Sequence, residues 1–252
     1  MARIEWFDQM LTATTDLFFN LEMELLLHQY GGSETLRLLD VGCGNGEYLS
    51  RLSRHYPGWQ CTGLELDEGI YQYAVLKETP NLSFVHSSYE NYESDHRYDL
   101  VLVRLVAAHL QDQGHFMRWL RDRTHPHSTI IIIDIEDAEE TRWSESLPLF
   151  SSLYSQMRRP LRRTRLLRLK DSLALEARFH GFASQQLFRY RAAADALDTK
   201  RLMYRYMQLV TGYHYGHPLP ADREDELVQW FMSPDQTFEV HMFAILLKTV
   251  DI

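Results

Sequence analysis

Apolar residues recur along this chain with two alternating periods. From Thr14 to Tyr30, Leu17, Phe18, Leu21, Leu25 and Leu26 return at helical spacing, and Gly31-Gly32 supplies a stop. With a shorter stretch at Trp6–Leu11, this predicts two helices ahead of the first strand. LRLLDV, QCTGLEL, LSFVHS, YDLVLVRL and STIIIIDI then read as buried strands, and GEYLSRLSRHYP, EGIYQYAVLKE and HFMRWLRDRTH as helices between them. Such alternation predicts βαβ units and a parallel sheet covered on both faces. Right-handed crossovers gather its βα loops along one edge, where α/β proteins bind ligands. SLALEARFHGFASQQLFRYRA predicts a helix, a stop at Gly181 and a sixth strand. Residues 193 to 232 read as helical and aromatic-rich, and TFEVHMFAILLKTV closes as a long strand.

Composition narrows the class without naming it. A chain of 252 residues with 45% hydrophobic and 24% charged residues can bury a full core and is not disordered. A net charge of −9 is a poor start for binding a phosphate backbone, so no nucleic-acid partner is expected. Two cysteines, Cys43 and Cys61, make no disulfide framework and suit a reducing compartment. MARIEWFDQMLTATTDLFF lacks the continuous apolar core of a leader, and TIIIIDI is too short to span a bilayer. A cytoplasmic protein without membrane contact is the expectation, and a homodimer stays open.

The chemistry concentrates in LLDVGCGNGEYL. Asp40, Gly42, Gly44 and Gly46 form D-x-G-x-G-x-G between a strand and a helix, so bare main chain can approach a ligand. Glu65, at the end of the second strand and 19 residues after Gly46, is placed to accept both hydroxyls of a ribose. A dinucleotide fingerprint would be G-x-G-x-x-G with a pyrophosphate at the helix N-terminus. Here the third glycine comes one residue early, and Asp40 stands before the loop. A carboxylate suits the ammonium and sulfonium of a methionine-like group better than an anion, which disfavours a nicotinamide-dependent oxidoreductase.

LLDVGCGNG resembles motif I of the class I S-adenosylmethionine (SAM)-dependent methyltransferases. GLELD is similar to their second motif, and DLVLVRLVAAHLQD to the strand-four region of the small-molecule branch. The likeness covers roughly residues 34 to 191 and the final strand. It implies an α/β, Rossmann-like seven-stranded sheet with an antiparallel last strand and helices on both faces. Residues 1–33 would be a helical lid and 34–252 the SAM-binding domain, with 193–232 inserted before the last strand. It also implies that Asp40, Gly42, Gly44 and Gly46 line the methionine end, Glu65 the ribose and Leu66 the adenine. Ser88 stands where the family usually offers an aspartate to the adenine amino group, so Ser88 with Tyr89 takes that role. Arg104 lies where the family's strand-four backbone approaches the sulfonium.

The acceptor is read from absences and from the cap. RLVA after strand four is neither N/D-P-P-Y/F nor Pro-Cys, which sets aside amino-methylating nucleic-acid enzymes and cytosine-C5 chemistry. Arg104 occupies a place where the metal-dependent branch would want a carboxylate, so no metal is expected. An O- or N-methylation of a small organic metabolite remains, with S-adenosylhomocysteine (SAH) as the other product. His109 opens the strand-four loop and is a candidate general base or a packed cap. His214, in GYHYGHP, is a second candidate, and Trp6, Phe7, Tyr204 and Tyr213 are expected to enclose the acceptor. DIEDAEE could hold a cationic amine or be a solvated loop. The basic run Arg158–Lys170 reads as a solvated or acid-paired face, or as a contact for an anionic partner. The last reading suits a catalytically silent SAM-binding module acting through a protein.

Overall fold

A computed structural model gives the architecture, and residues 2–32, 35–136, 145–162 and 167–249 are described. Seven strands form one sheet: β1 (Leu36–Val41), β2 (Trp59–Glu65), β3 (Leu82–His86), β4 (Tyr98–Arg104), β5 (Thr124–Ile135), β6 (Phe182–Ala193) and β7 (Glu239–Thr249). Their order is β3-β2-β1-β4-β5-β7-β6. The first five run parallel, and β7 is antiparallel to both β5 and β6, as in Ile132↔Ile245 and Leu187↔Ile245. This is the seven-stranded sheet with a reversed last strand that the sequence resemblance implies.

Two apolar clusters cover the sheet. One joins Leu38, Leu100, Leu102 and Ile131 to α1 (Arg3–Glu22), α2 (Glu47–His55), α5 (Pro148–Arg162), α7 (Leu197–Tyr215) and α8 (Ala221–Met232). The other joins Leu39, Val101, Val103 and Ile130 to α4 (Gln113–Asp122) and α6 (Leu169–Phe179). A remaining helix, α3 (Glu68–Val75), follows β2 and is capped by Asp67, whose carboxylate accepts from Ile70 N at 3.0 Å. Alternate residues of β1 and β4 go to opposite clusters, so both faces of the central strands are buried, as a parallel sheet requires.

The entry to the chain differs from the sequence expectation. Instead of two helices there is one, α1, which passes directly into a π-helical turn at Met23–Leu27 and a short 3-10 turn at His28–Tyr30. Thr12 sits in the expected break, and Thr14 and Thr15 follow directly after it. Each hydroxyl donates back to the carbonyl four residues earlier, on Asp8, Met10 and Leu11, which keeps these residues inside the helix. A second difference is α5, which begins at Pro148 and runs through the first part of the basic run. The inserted segment before β7 forms α7 and α8, and among the described residues no helix is long and apolar enough to cross a membrane.

Candidate functional site

The C-terminal ends of β1, β2 and β4 open on a cavity of about 880 Å³. Asp40, the penultimate residue of β1, is buried, and its Oδ1 has no hydrogen-bond partner among the described residues. Burial pushes its carboxyl up to about 7, opposed by the nearby Arg104 charge and reinforced by Glu65. A buried acceptor left unanswered is costly, so this atom is set for a donor from outside the chain.

The glycine loop is shaped by two close approaches. Gly42 has φ +73°, and a Cβ there would stand 2.4 Å from Val106 Cγ2. Gly46 also has φ +73°, but it faces inward: a Cβ would meet the Phe84 ring at 2.6 Å and the Ala74 Cβ at 3.1 Å. Gly46 therefore packs the start of α2 against β3 and does not line the cavity. Gly46→Ala is expected to destabilise the protein by about 2–5 kcal/mol, from backbone strain plus overpacking. Denaturant unfolding would check it, and a change under about 0.5 kcal/mol would contradict this packing role.

Four of the loop's amides are engaged within the protein. Gly42 N and Cys43 N both donate to Leu64 O at 2.8 Å, Gly46 N to Cys43 O at 3.1 Å, and Gly44 N to Glu65 Oε2 at 2.9 Å. A pyrophosphate cradle needs such amides pointing at the ligand. Glu65 Oε1 accepts from Asp67 N at 2.8 Å, so each carboxylate oxygen takes one amide and keeps a lone pair for a hydroxyl. Burial raises the Glu65 carboxyl, with these amide bonds opposing. Cys43 is buried in the same loop, and burial, with Asp40 and Glu65 adding, raises its thiol well above the usual range. It stays a thiol and fills space against Gly63, where a Cβ would lie 2.7 Å from its Sγ.

The remaining walls come from the strand ends and α1. Leu66, Ser88 and Tyr89 line the cavity beyond Glu65. Tyr89 stands edge-on to Phe116 and Trp119, with ring centroids 4.9 and 5.5 Å away. After β4, Leu105 takes φ +60° and leads into a 3-10 turn at Ala107–His109. That turn is anchored by Asp134, whose Oδ2 accepts from Ala108 N at 3.0 Å, and His109 lines the cavity at its end. Phe7, Leu11 and Thr15 of α1 close the side opposite the sheet. Asn45 Nδ2 ties α1 down through Asp8 Oδ1 at 2.7 Å and Thr12 Oγ1 at 2.9 Å, and Arg51 bonds Asp16. Asp8, Thr12 and Asp16 fall four residues apart on one helix face, a signal present in the sequence and not used above.

Of the expected site residues, the structure brings Asp40, Gly42, Gly44, Glu65, Leu66, Ser88, Tyr89, Arg104, His109 and Phe7 to this cavity. It places the other aromatic candidates elsewhere. Trp6 packs on Gly212, where a Cβ would be 2.6 Å from its ring. Tyr213 packs at a tilt on Phe7 at 5.6 Å and Tyr204 on Phe231 at 4.8 Å, while His214 stands edge-on to Tyr215 at 4.5 Å. Trp6, Tyr204 and Tyr213 join α1, α7 and α8 to one another, His214 packs within α7, and none of the four lines the cavity. Tyr48, Asn45 and Thr15 line it without having been singled out in the sequence. In the acidic stretch, Asp134 serves the β4 turn and Glu136 accepts from Lys170 at 2.7 and 2.8 Å. Asp137, Glu139 and Glu140 lie outside the described residues, as do residues 163–166 of the basic run. Among the described residues no group of three or more His, Cys, Asp or Glu could hold a metal.

These residues fit SAM: a buried carboxylate oxygen with no partner among the described residues suits its ammonium, an acid suits its ribose, and the loop's amides at Gly42, Cys43, Gly44 and Gly46 are already taken. Comparison with known proteins agrees. The family described as "Methyltransferase domain" matches residues 17–182, about two thirds of the chain. Ubiquinone biosynthesis O-methyltransferase from Rickettsia bellii is 29% identical over 119 residues, covering 46% of this chain and 49% of the relative. Malonyl-[acyl-carrier protein] O-methyltransferase 1 from Ilyobacter polytropus is 27% identical over 94 residues, 36% of this chain and 34% of the relative. The chain thus matches a third to a half of the length of these curated relatives. A solved structure of Haemonchus contortus phosphoethanolamine N-methyltransferase 2 with SAM superposes with a TM-score of 0.61 at 15% identity, covering 97% of this chain and 57% of that one. With motif, sheet order and family match in agreement, the chain belongs to the methyltransferase-domain family of class I SAM-dependent enzymes.

Proposed function

We propose that the protein transfers a methyl group from SAM to an oxygen or nitrogen of a small organic acceptor. One observation carries this reading: the cavity holding Asp40 and Glu65 is shared with Phe7, Leu11 and Thr15 of α1 and with His109. At about 880 Å³ it lies near the upper end of ligand pockets, with room for a second small molecule beside a nucleoside. SAM, when bound, supplies a methyl on a sulfonium that is already an excellent leaving group. The chain's task is therefore alignment and exclusion of water, with a proton taken where the acceptor needs it. Asp40 and Glu65 fix the two ends of the donor, α1 covers the site, and His109 is placed to accept a proton.

Calorimetry should show one-to-one binding of SAM and SAH and none of NADH. Labelled SAM should pass its methyl to a component of a metabolite extract. NADH binding without SAM binding would overturn the reading, and SAM binding with transfer to nothing would favour a silent module. Glu65→Gln should weaken SAM binding by roughly tenfold or more, the worth of a hydrogen bond to a charged group. His109→Ala should lower kcat with the SAM Kd unchanged, while His214→Ala leaves both in place.

A further inference from the structure

Arg104 lines the cavity and carries a buried nitrogen that nothing among the described residues answers. It ends β4, and its side chain is 9% exposed. Nε donates to Glu22 Oε2 at 2.8 Å, and the guanidinium lies 4.6 Å above the centre of the Tyr48 ring. Glu22, wholly buried near the end of α1, also accepts from Tyr190 Oη at 2.9 Å. Burial first, then the Glu22 charge, holds the Tyr190 phenol up, so it remains a donor to that carboxylate. Glu22 and Tyr190 thus fix the guanidinium in place. Yet Nη2 is buried and has no hydrogen-bond partner among the described residues.

An unanswered N–H on a buried cation is set for an acceptor supplied by a ligand. The cavity allows an anion few alternatives. Among its described lining residues Arg104 is the one Arg or Lys, facing Asp40, Glu65, Asp67, Glu90 and Asp112. The strand order assigns the two sides of the site. Glu65 and Ser88 follow β2 and β3 on one side of Asp40, where the donor's ribose and adenine lie. Arg104 is on the other side, on β4, and its partner Glu22 is held in turn by Tyr190 of β6. We propose that Arg104 selects the acceptor: it receives a carboxylate carried by the methyl acceptor and turns the reacting atom toward the donor. The planar guanidinium edge matches a carboxylate in shape and charge. This inference rests on the methyl-transfer reading above.

The test fractionates a metabolite extract on an anion-exchange resin and offers each fraction with labelled SAM. Label should enter compounds that the resin retained. Label only in the unretained fraction overturns the inference and leaves methyl transfer standing. Label in neither overturns methyl transfer and, with it, the inference. On the acceptor found, Arg104→Gln should raise KM at least tenfold while the SAM Kd stays within twofold. Because that variant strands Glu22, the double variant Glu22→Gln/Arg104→Gln removes both charges and should show the same split. A tenfold rise in the SAM Kd in both variants would place the donor's own carboxylate on Arg104 and overturn the assignment. Should both variants unfold, the fractionation decides alone.

Discussion

Replacing Asp40 with asparagine is expected to weaken SAM binding near pH 8 by roughly 10- to 100-fold, the worth of a hydrogen bond between charged groups, and to stabilise the ligand-free protein. Both effects have one source. The Asp40 carboxyl is buried and held at about 7, above the ordinary 3.8, by burial first. A carboxyl raised on folding opposes folding when ionised. That cost is fully present above the folded value and disappears as the pH falls through it toward the unfolded one. The ligand-free protein should therefore gain stability from about pH 8 down to about pH 5, by up to about 1.4 kcal/mol per pH unit below pH 7. The carboxamide of the Asp40→Asn variant has no charge to bury, which removes that dependence. A bound ammonium reverses the preference, because it favours the carboxylate. The SAM Kd should accordingly rise about tenfold per unit below about pH 7 in the native protein and stay flat in the variant. Calorimetry and thermal unfolding between about pH 5.5 and 8.5 would show both trends. A native SAM affinity independent of pH would remove Asp40 from the ammonium site.

Residues 38 to 49 were legible in the sequence because their contacts are local. Strand, loop and helix follow one another within a dozen residues, and Glu65 lies on the next strand, where Gly63 pairs with Asp40. The N-terminal segment was legible as helix but not as a single one, since threonine hydroxyls that cap or break helices elsewhere here bond back along α1. The cap aromatics show a different limit. Their spacing marks a packed helical element, and only the docking of α1 on α7 decides which ring meets the cavity. Phe7 does, while its neighbour Trp6 turns to Gly212. Tertiary placement also settles the basic run in part: Lys170, its last member, is buried against Glu136, while Arg158 is buried beside the Tyr154 ring. Least legible of all was Glu22, whose partners stand 82 and 168 residues away.

Glu22→Ala should be the most disruptive of the single changes, costing about 3–5 kcal/mol of stability. Glu22 is 0% exposed and holds Arg104 and Tyr190 together. Removing it leaves a buried guanidinium without its ion-pair partner and a buried phenol without its acceptor, and the second loss adds to the first. For a chain of this size the midpoint of thermal unfolding should fall by roughly 6–20 °C. Tyr190→Phe removes one hydroxyl and leaves the ion pair, so its cost should be about 1 kcal/mol. The contrast separates loss of the ion pair from loss of one neutral donor to the same carboxylate. The other end of α1 has its own attachments at Asn45 and Arg51. Residual folded Glu22→Ala protein should therefore still bind SAM, with an affinity limited by how much of it is folded. If denaturant unfolding put Glu22→Ala within about 1 kcal/mol of the native protein, the pair would be a solvated contact, and the fixed guanidinium on which acceptor selection depends would be lost with it.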